Sequence, residues 1–167
     1  ACGDEDYLQR EAQFRRVSLS LYPRHLLGAV PILYAGNISS DQNASRRAWT
    51  SILNAYLHPA MERFLYNAEN KLRDYRVRNP LLIYRNDGYA GRVAKTVALK
   101  TYSSGPRAGM DSARAYASFY DFSSYLTLDV GGTTSDIGLI RNGEVVAQDH
   151  GEVEGIECSL PLSDIVS

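Results

Sequence analysis

Residues 125–148 constrain the fold of this chain more than any other stretch, because they specify three strands and the turns between them. Within Tyr125–Val130, two leucines and a valine alternate with Tyr, Thr and Asp, which is the period-two pattern of a half-buried strand. The dipeptide Asn142-Gly143 favours a two-residue hairpin, since both central residues of a type I′ turn need positive φ. The stretch therefore predicts a three-stranded antiparallel meander over 125–149, with strands at 125–130, 134–141 and 144–148.

The first turn of this meander has the sequence Gly-Gly-Thr-Thr and lies between Asp129 and Asp136. Paired glycines expose backbone N–H groups and allow a phosphate to approach the main chain closely. The two threonine hydroxyls can donate hydrogen bonds to phosphate oxygens, and the two carboxylates suit a hydrated Mg²⁺ that bridges to the phosphate. The candidate phosphate-binding residues are Asp129, Gly131, Gly132, Thr133 and Thr134, and the candidate metal ligands are Asp129 and Asp136. The alternative is a glycine-rich turn between two surface aspartates.

The first part of the chain, residues 1–78, is predicted to be mainly helical. Residues 4–16 predict a short helix, because acidic residues open the segment and arginines follow toward its end. Residues 17–20 alternate in a short β-like pattern that predicts an edge strand. Residues 21–39 contain several Pro and Gly residues and predict an ordered loop that packs on the core.

Residues 40–75 carry the longest helical pattern. Ser39, Ser40 and Asp41 can each cap its start. Apolar side chains recur every three or four residues and predict a face that packs in the core; they are Trp49, Ile52 or Leu53, Tyr56, Ala60, Phe64, Ala68, Leu72 and Tyr75. Pro59 lies inside the pattern, so we expect a kink or a break there.

The second part of the chain, residues 79–167, is predicted to be α/β. Residues 81–84 are a continuous apolar run, which is typical of a strand buried on both faces. Open α/β sheets bind ligands where polar residues follow such strands, and Asn86 and Asp87 occupy that position. They are therefore secondary site candidates, and the alternative is an ordinary Asn-Asp-Gly turn.

A helix start follows at residues 103–106, Ser-Ser-Gly-Pro, where either serine can cap and the proline fits the first turn. Residues 107–120 continue with helical periodicity and many small side chains that allow close packing on a sheet. Ser104 and Gly105 are further anion-binding candidates, because a helix N-terminus presents free N–H groups. The order of helix, strand, helix and meander predicts an α/β architecture, with two further β-like fragments at 156–160 and 162–166.

Composition excludes several functional classes. The net charge of −1 gives no basic excess for nucleic-acid binding, and no apolar run reaches membrane-spanning length. Cys2 and Cys158 are far apart and outside any metal-ligand spacing, so we expect a reduced, cytoplasmic setting. The three histidines stand in no recognisable catalytic motif, and the catalytic residues stay unassigned. Because the chain begins with Ala1 rather than Met, we expect an excised or processed piece of a longer protein.

Five sequence blocks in a fixed order resemble one family. They are VSLS at 17–20, SILNAYLHP at 51–59, PLLIYRNDG at 80–88, SGPRAG at 104–109 and LDVGGTTSDIGLI at 128–140. In this order they resemble the hydantoinase A / 5-oxoprolinase family, which also includes acetone and acetophenone carboxylase subunits. Two departures are Tyr89, where the family has a second glycine, and Arg107, where it has a small residue.

The resemblance implies a partial ribonuclease-H-like lobe of the actin/Hsp70/sugar-kinase superfamily, with residues 129–136 as the second phosphate hairpin of an ATP and Mg²⁺ site. It implies an internal segment of an enzyme that uses ATP to phosphorylate and then hydrolyse a cyclic amide such as a hydantoin or 5-oxoproline. The alternatives are a ketone carboxylase subunit and a non-catalytic nucleotide-binding member. The expected partners are nucleotide, a small substrate and the remaining lobe of the same protein or a second subunit. The segment by itself is expected to be inactive.

Overall fold

The computed structural model describes residues 6–23, 25 and 31–166. Its long helices are α1 (Tyr7–Leu21), α2 (Ala44–Asp74) and α3 (Ser104–Phe119). Its strands are β1 (Leu82–Tyr84), β2 (Ala90–Arg92), β3 (Tyr125–Val130), β4 (Ser135–Arg141), β5 (Glu144–Val145), β6 (Ala147–Gln148), β7 (Glu152–Val153), β8 (Ile156–Glu157), β9 (Leu162–Ser163) and β10 (Ile165–Val166). No helix in the described part of the chain is long and apolar enough to span a membrane.

Helix α1 continues through the segment predicted as an edge strand, so that prediction is wrong. Residues 17–20 form helical turns, and the Ser20 hydroxyl donates to the Val17 carbonyl at 2.8 Å. Four alternating residues are too short to interrupt a helix that gains one backbone hydrogen bond for each residue added. The predicted loop at 21–39 lies partly outside the described residues.

Helix α2 begins later than predicted and runs without a break. Asn43 is its cap, because the Asn43 Oδ1 atom accepts from the Arg46 N–H at 3.0 Å, whereas Asp41 accepts from the Asn43 N–H. Of the predicted kink or break at Pro59, the break is wrong, since the helix continues to Asp74, and the kink stays a prediction. Proline removes one backbone donor, which would have bonded the Ala55 carbonyl; because Ala55 is exposed, water can satisfy that group.

The predicted core face of α2 is also wrong, because most of its large side chains are exposed. Tyr56 is 81% exposed and Phe64 is 64% exposed. The buried face instead includes polar side chains that accept hydrogen bonds from backbone groups far away in sequence. Asn54 Oδ1 accepts from the Leu99 N–H at 3.1 Å, and Thr50 Oγ1 accepts from the Ser159 N–H at 2.8 Å.

The meander is confirmed and forms a four-stranded antiparallel sheet with β10. Strand β4 pairs with β3 on one side and with β5 and β10 on the other, which leaves β3 at an edge of the sheet as described. Asn142 and Gly143 have φ values of 53° and 75°, which is the backbone expected for the Asn-Gly hairpin. The third strand is shorter than predicted because residues 147–148 pair with β9.

Strands β1 and β2 form a separate two-stranded hairpin, so the prediction of a strand buried on both faces is wrong. Leu82 is 58% exposed, since β1 pairs with β2 alone within the described residues. The main apolar cluster is built on the C-terminal segment instead, where β7 and β8 pair with each other and β6 pairs with β9. Its buried members are Leu99, Val153, Cys158, Leu160 and Leu162, with Leu53 and Leu57 of α2 packed against them.

Candidate functional site

The hairpin between β3 and β4 places the two predicted metal ligands side by side. Asp129 and Asp136 are directly paired across the strands, and directly paired side chains lie on the same face of a sheet. That face is turned toward α3, because a Cβ atom built on Gly109 would lie 3.6 Å from Asp129 Oδ2. The two carboxylates therefore flank the turn on its helix side.

The turn itself, residues 131–134, is exposed at every position. The Gly131 N–H donates to the Thr134 carbonyl at 2.9 Å and closes the turn. The N–H groups of Gly132 and Thr133 have no hydrogen-bond partner among the residues that the structure describes. A Cβ atom on Gly132 would meet nothing within 4 Å, so the space beside this glycine is open. The turn thus presents free donors with room for a ligand to approach the backbone.

A groove of about 550 Å³ runs between α3 and the edge strand β3. Asp129 and Asp136 line it together with Pro106 and Gly109 from the first turns of α3, and apolar and aromatic side chains line the remainder. The predicted helix start is therefore brought to the hairpin, and α3 begins at Ser104, within the predicted start at 103–106. The groove is large enough to hold part of a small ligand next to the carboxylates.

The anion-binding candidates Ser104 and Gly105 lie in the first turn of α3, next to Pro106. Ser103 occupies the cap position with φ of 51°, and its side chain makes no cap hydrogen bond. The first N–H groups of a helix have no partner within the helix, so this turn has unused donors. Ser104 and Gly105 do not themselves line the groove, and their ligand role stays a prediction.

The secondary candidates Asn86 and Asp87 are used inside the protein. Asn86 is 3% exposed, and its Nδ2 atom donates to the Leu99 carbonyl at 3.2 Å. Asp87 accepts from Lys100 Nζ at 2.9 Å and from Arg85 Nε at 3.1 Å. Burial acts to raise the pKa of Asp87, but the hydrogen bonds from Lys100 and Arg85 outweigh it and hold the pKa below its usual value. This geometry matches the ordinary turn, and a ligand role for either residue stays a prediction.

Sequence reasoning missed a polar network that joins three elements beside the groove. Arg107 Nε donates to Asp111 Oδ2 at 2.7 Å, and Arg107 Nη1 donates to Ser163 Oγ at 3.1 Å. The Tyr84 hydroxyl donates to the same Asp111 oxygen at 2.7 Å. Gly88 is required here, because it has φ of 81° and a Cβ atom would lie 2.7 Å from Arg107 Nη2. The four-residue spacing of Arg107 and Asp111 on one helix was the available signal.

Arg107, which departs from the family pattern, is thus an anchor between α3, the β1–β2 hairpin and β9. It does not line the groove beside Asp129 and Asp136. Burial raises the pKa of Tyr84 within this network, and the hydrogen bond to Asp111 adds to the increase. The other departure, Tyr89, is 69% exposed.

Metal-binding capacity in the described residues is limited to small sets of ligands. No group of three or more His, Cys, Asp or Glu side chains there could hold a metal ion. The pair Asp129 and Asp136 cannot enclose a metal alone. A hydrated Mg²⁺ needs only one or two carboxylates when phosphate oxygens and water complete its shell, so the pair fits that ion.

Comparison with known proteins identifies the family. The hydantoinase/oxoprolinase family model matches residues 47–167, and the chain belongs to this family. The acetophenone carboxylase gamma subunit of Aromatoleum aromaticum is 27% identical over 135 residues, which cover 81% of this chain and 18% of that protein. The caprolactamase subunit alpha of Pseudomonas jessenii is 27% identical over 99 residues, which cover 58% of this chain and 14% of that protein.

A solved structure shares the fold. A nucleotide-free structure of acetone carboxylase, an enzyme of ATP-dependent acetone carboxylation, matches with a TM-score of 0.78 and 20% identity over 96% of this chain. The match covers 23% of the acetone carboxylase chain. The mixed α/β chain with antiparallel sheets therefore corresponds to one part of that protein, and the chain spans less than a quarter of the length of the relatives described.

Proposed function

We propose that this chain is the phosphate-binding segment of an ATP-dependent hydrolase that acts on cyclic amides of the hydantoin or 5-oxoproline type. The observation that carries the proposal is the β3–β4 hairpin. Its two paired carboxylates flank a turn whose Gly132 and Thr133 N–H groups are free, and the groove beside α3 opens at the same place. The family match and the fold shared with an enzyme of ATP-dependent carboxylation support the use of ATP.

The residues of the hairpin fit a nucleotide phosphate with Mg²⁺. The Gly132 and Thr133 N–H groups would bind phosphate oxygens, and the hydroxyl groups of Thr133 and Thr134 would add donors. Asp129 and Asp136 would hold the ion through water or directly. When bound, ATP would supply a phosphoryl group to the amide oxygen of the substrate, which could then leave as phosphate. The chain's contribution to that chemistry is positioning and charge stabilisation.

The fold proposal is a partial ribonuclease-H-like lobe of the actin/Hsp70/sugar-kinase type. The β3–β4–β5 meander with its glycine-rich first turn supports it. The face opposite α3 is apolar and uncovered in the described residues; Leu126, Leu128, Val130 and Val166 are 71%, 66%, 70% and 67% exposed. Apolar surface of this extent on an edge strand is typical of an interface.

We assign that uncovered face to the remaining lobe of the same protein or to a second subunit. Two of the relatives are named as subunits, which supports a partner of this kind. In this arrangement the cyclic amide would bind between the hairpin and the remaining lobe, in a cytoplasmic enzyme. The segment alone would then hold half of a nucleotide site and turn over little ATP.

A second candidate function is that of a ketone carboxylase subunit. The match to the acetophenone carboxylase gamma subunit, which covers more of this chain than the match to the caprolactamase subunit, favours it. A third is a non-catalytic nucleotide-binding member. The chemistry of the hairpin is the same in all three, because each needs a bound nucleotide phosphate.

The decisive experiment measures ATP hydrolysis by the longer protein that contains this chain. The panel of additives is 5-oxoproline, a set of hydantoins, and ketones with bicarbonate. Stimulation by a cyclic amide supports the hydrolase, and stimulation by a ketone only with bicarbonate supports the carboxylase. Binding of Mg-ATP without stimulation by any of them supports the non-catalytic member. Absence of Mg-ATP binding contradicts the proposal itself.

A further inference from the structure

A second groove lies at the far end of α2, away from the hairpin, and none of the functions above uses it. It has a volume of about 870 Å³ and lies between the end of α2, the segment that follows, and the end of β2. Four arginines line it, namely Arg73, Arg76, Arg78 and Arg92, and Glu69 is its one carboxylate. We name it the basic groove.

The charge of this region contrasts with that of the whole chain. Residues 73–95 contain six Lys or Arg and two Asp or Glu side chains, an excess of four positive charges, in a chain whose net charge is −1. Glu69 pairs with Arg73 at 3.6 Å. No carboxylate of the described residues lies within ion-pair distance of Arg76, Arg78 or Arg92. The basic groove therefore presents a local positive field that the chain does not neutralise.

The backbone at Arg76 gives an independent argument. Helix α2 ends in a Schellman motif, in which the Val77 N–H donates to the Leu72 carbonyl at 3.0 Å and the Arg76 N–H donates to the Arg73 carbonyl at 2.8 Å. Arg76 occupies the left-handed position of this motif with φ of 62°. Glycine is the favoured residue there because any Cβ atom is strained at positive φ. Lys71 and Arg73 already supply positive charge to the last turn of the helix.

Arg76 thus places a charged side chain at the basic groove, at a position where glycine is the favoured residue. We propose that the basic groove binds an acidic peptide segment of a partner protein, with carboxylates paired to Arg76, Arg78 and Arg92. Arginine suits this role because its guanidinium group binds a carboxylate through two parallel hydrogen bonds. This inference is independent of the function proposed for the hairpin.

The shape of the groove favours a peptide over a small anion. The arginines are exposed along an open surface, where Arg73, Arg76 and Arg78 lie close in sequence and Arg92 comes from the end of β2. Tyr66 and Val77, which are 43% and 41% exposed, lie among them and offer apolar contacts for a peptide side chain. Alternating charged and apolar contacts along an open groove match an extended acidic peptide.

The test is fluorescence anisotropy of the 167-residue chain with a dye-labelled peptide of alternating glutamate and leucine. We expect binding that weakens with salt and is lost when glutamine replaces glutamate in the peptide. Arg78→Ala should weaken binding about fivefold, which is near the upper end for one exposed ion pair. Arg63→Ala is the matched control. Arg63 is exposed on α2 outside the basic groove, and its substitution removes the same charge.

Arg76→Gly separates a binding role from a structural one. It removes the charge and relieves the strained backbone, so we expect an unfolding temperature about 3 °C higher together with weaker peptide binding. The proposal is overturned if the peptide does not bind, if the glutamine peptide binds equally, or if Arg76→Gly and Arg78→Ala bind like Arg63→Ala. Displacement of the peptide by inorganic triphosphate or a short RNA at much lower concentration than by unlabelled peptide also overturns it, since the groove then prefers another anion.

Discussion

The turns that follow β1 and β3 both combine glycine with a nearby aspartate. Asp87 and Gly88 lie in the turn after β1, whereas Asp129 is the second-last residue of β3 and Gly131 and Gly132 follow the strand. In the β1 turn the Asp87 carboxylate is held by Lys100 and Arg85, and the Asn86 side chain donates to a buried carbonyl. In the β3 turn, no described residue satisfies the N–H groups of Gly132 and Thr133. The polar groups of the β1 turn are paired within the chain, whereas two backbone donors of the β3 turn have no partner among the described residues.

The glycines of the two turns also differ, because the fold requires one of them and not the other. Gly88 has positive φ and closely approaches Arg107, so it is needed for the fold. Gly132 has open space where its Cβ would be, so the fold does not require it. A binding turn can therefore be distinguished from a structural turn by asking whether the protein itself explains each glycine and each polar atom.

The largest expected effect is that of Asp129→Ala on ATP hydrolysis by the longer protein. Loss of one preorganised charge at a phosphate site typically costs about 100-fold or more in rate. The measurement is steady-state phosphate release, with circular dichroism to show that the fold is retained. The control is Asp149→Ala, which removes an equal charge from an exposed position. Unchanged hydrolysis in Asp129→Ala would remove this carboxylate from the site.

Gly88→Ala is expected to destabilise the fold by about 2 kcal/mol, because alanine at φ of 81° is strained and its Cβ meets Arg107. The measurement is the free energy of unfolding of the 167-residue chain in urea. The Mg-ATP affinity of the folded variant should stay within about twofold of that of the unsubstituted 167-residue chain, since the β1 turn lies outside the groove between α3 and β3. A stable Gly88→Ala chain with weakened nucleotide binding would reverse the roles that we assign to the two turns.

Gly132→Ala is expected to leave the stability nearly unchanged and to weaken Mg-ATP binding. The free energy of unfolding should change by less than about 0.5 kcal/mol, because the new methyl group would meet no atom of the chain within 4 Å. Mg-ATP binding should weaken about tenfold, which corresponds to about 1.4 kcal/mol, because the methyl group occupies the path of a phosphate to the backbone. Calorimetric titration measures the affinity. Equal affinity in Gly132→Ala and the parent chain would show that no phosphate approaches this glycine.

The sequence predicted those parts of the fold that local signals determine. Alternation in Tyr125–Val130 and the Asn142-Gly143 turn act over a few residues, and both were found as expected. The buried face of α2 was not predictable in this way, because Thr50 and Asn54 are buried through hydrogen bonds to backbone that lies 109 and 45 residues away in sequence. An apolar stripe alone gave the wrong face, since its aromatic side chains are exposed.

In the candidate site, too, the features set by local sequence were predictable and those set by the tertiary fold were not. The paired positions of Asp129 and Asp136 follow from the hairpin, so spacing alone was sufficient to place them together. The difference between the two turns was not predictable, because the partners of Asp87 include Lys100, whose approach depends on the tertiary fold. The anchor role of Arg107 likewise depends on Ser163, which is 56 residues away.

The smallest expected effect concerns the pH dependence that Asp87 gives to stability. Its pKa in the folded chain is below the ordinary value, which is about 3.9 in an unfolded chain. A lowered carboxyl pKa stabilises the fold fully above the unfolded value and loses that contribution as the pH falls toward the folded value. Asp87→Asn cannot titrate, so it should be less stable than the parent chain by about 1 kcal/mol at neutral pH, and this difference should shrink below pH of about 4.

Urea unfolding of the parent chain, Asp87→Asn and Asp149→Asn from neutral pH into the acid range measures this effect. Asp149 is exposed and has no ion-pair partner among the described residues, so Asp149→Asn is the control for the loss of one carboxylate charge. Asp41, whose pKa is lowered chiefly by its hydrogen bond from Arg46, is present in all three chains and cancels from the comparison. If the stability difference between Asp87→Asn and the unsubstituted chain stayed constant into the acid range, the charge of Asp87 would not stabilise its turn. The distinction between the β1 and β3 turns would then rest on their glycines alone.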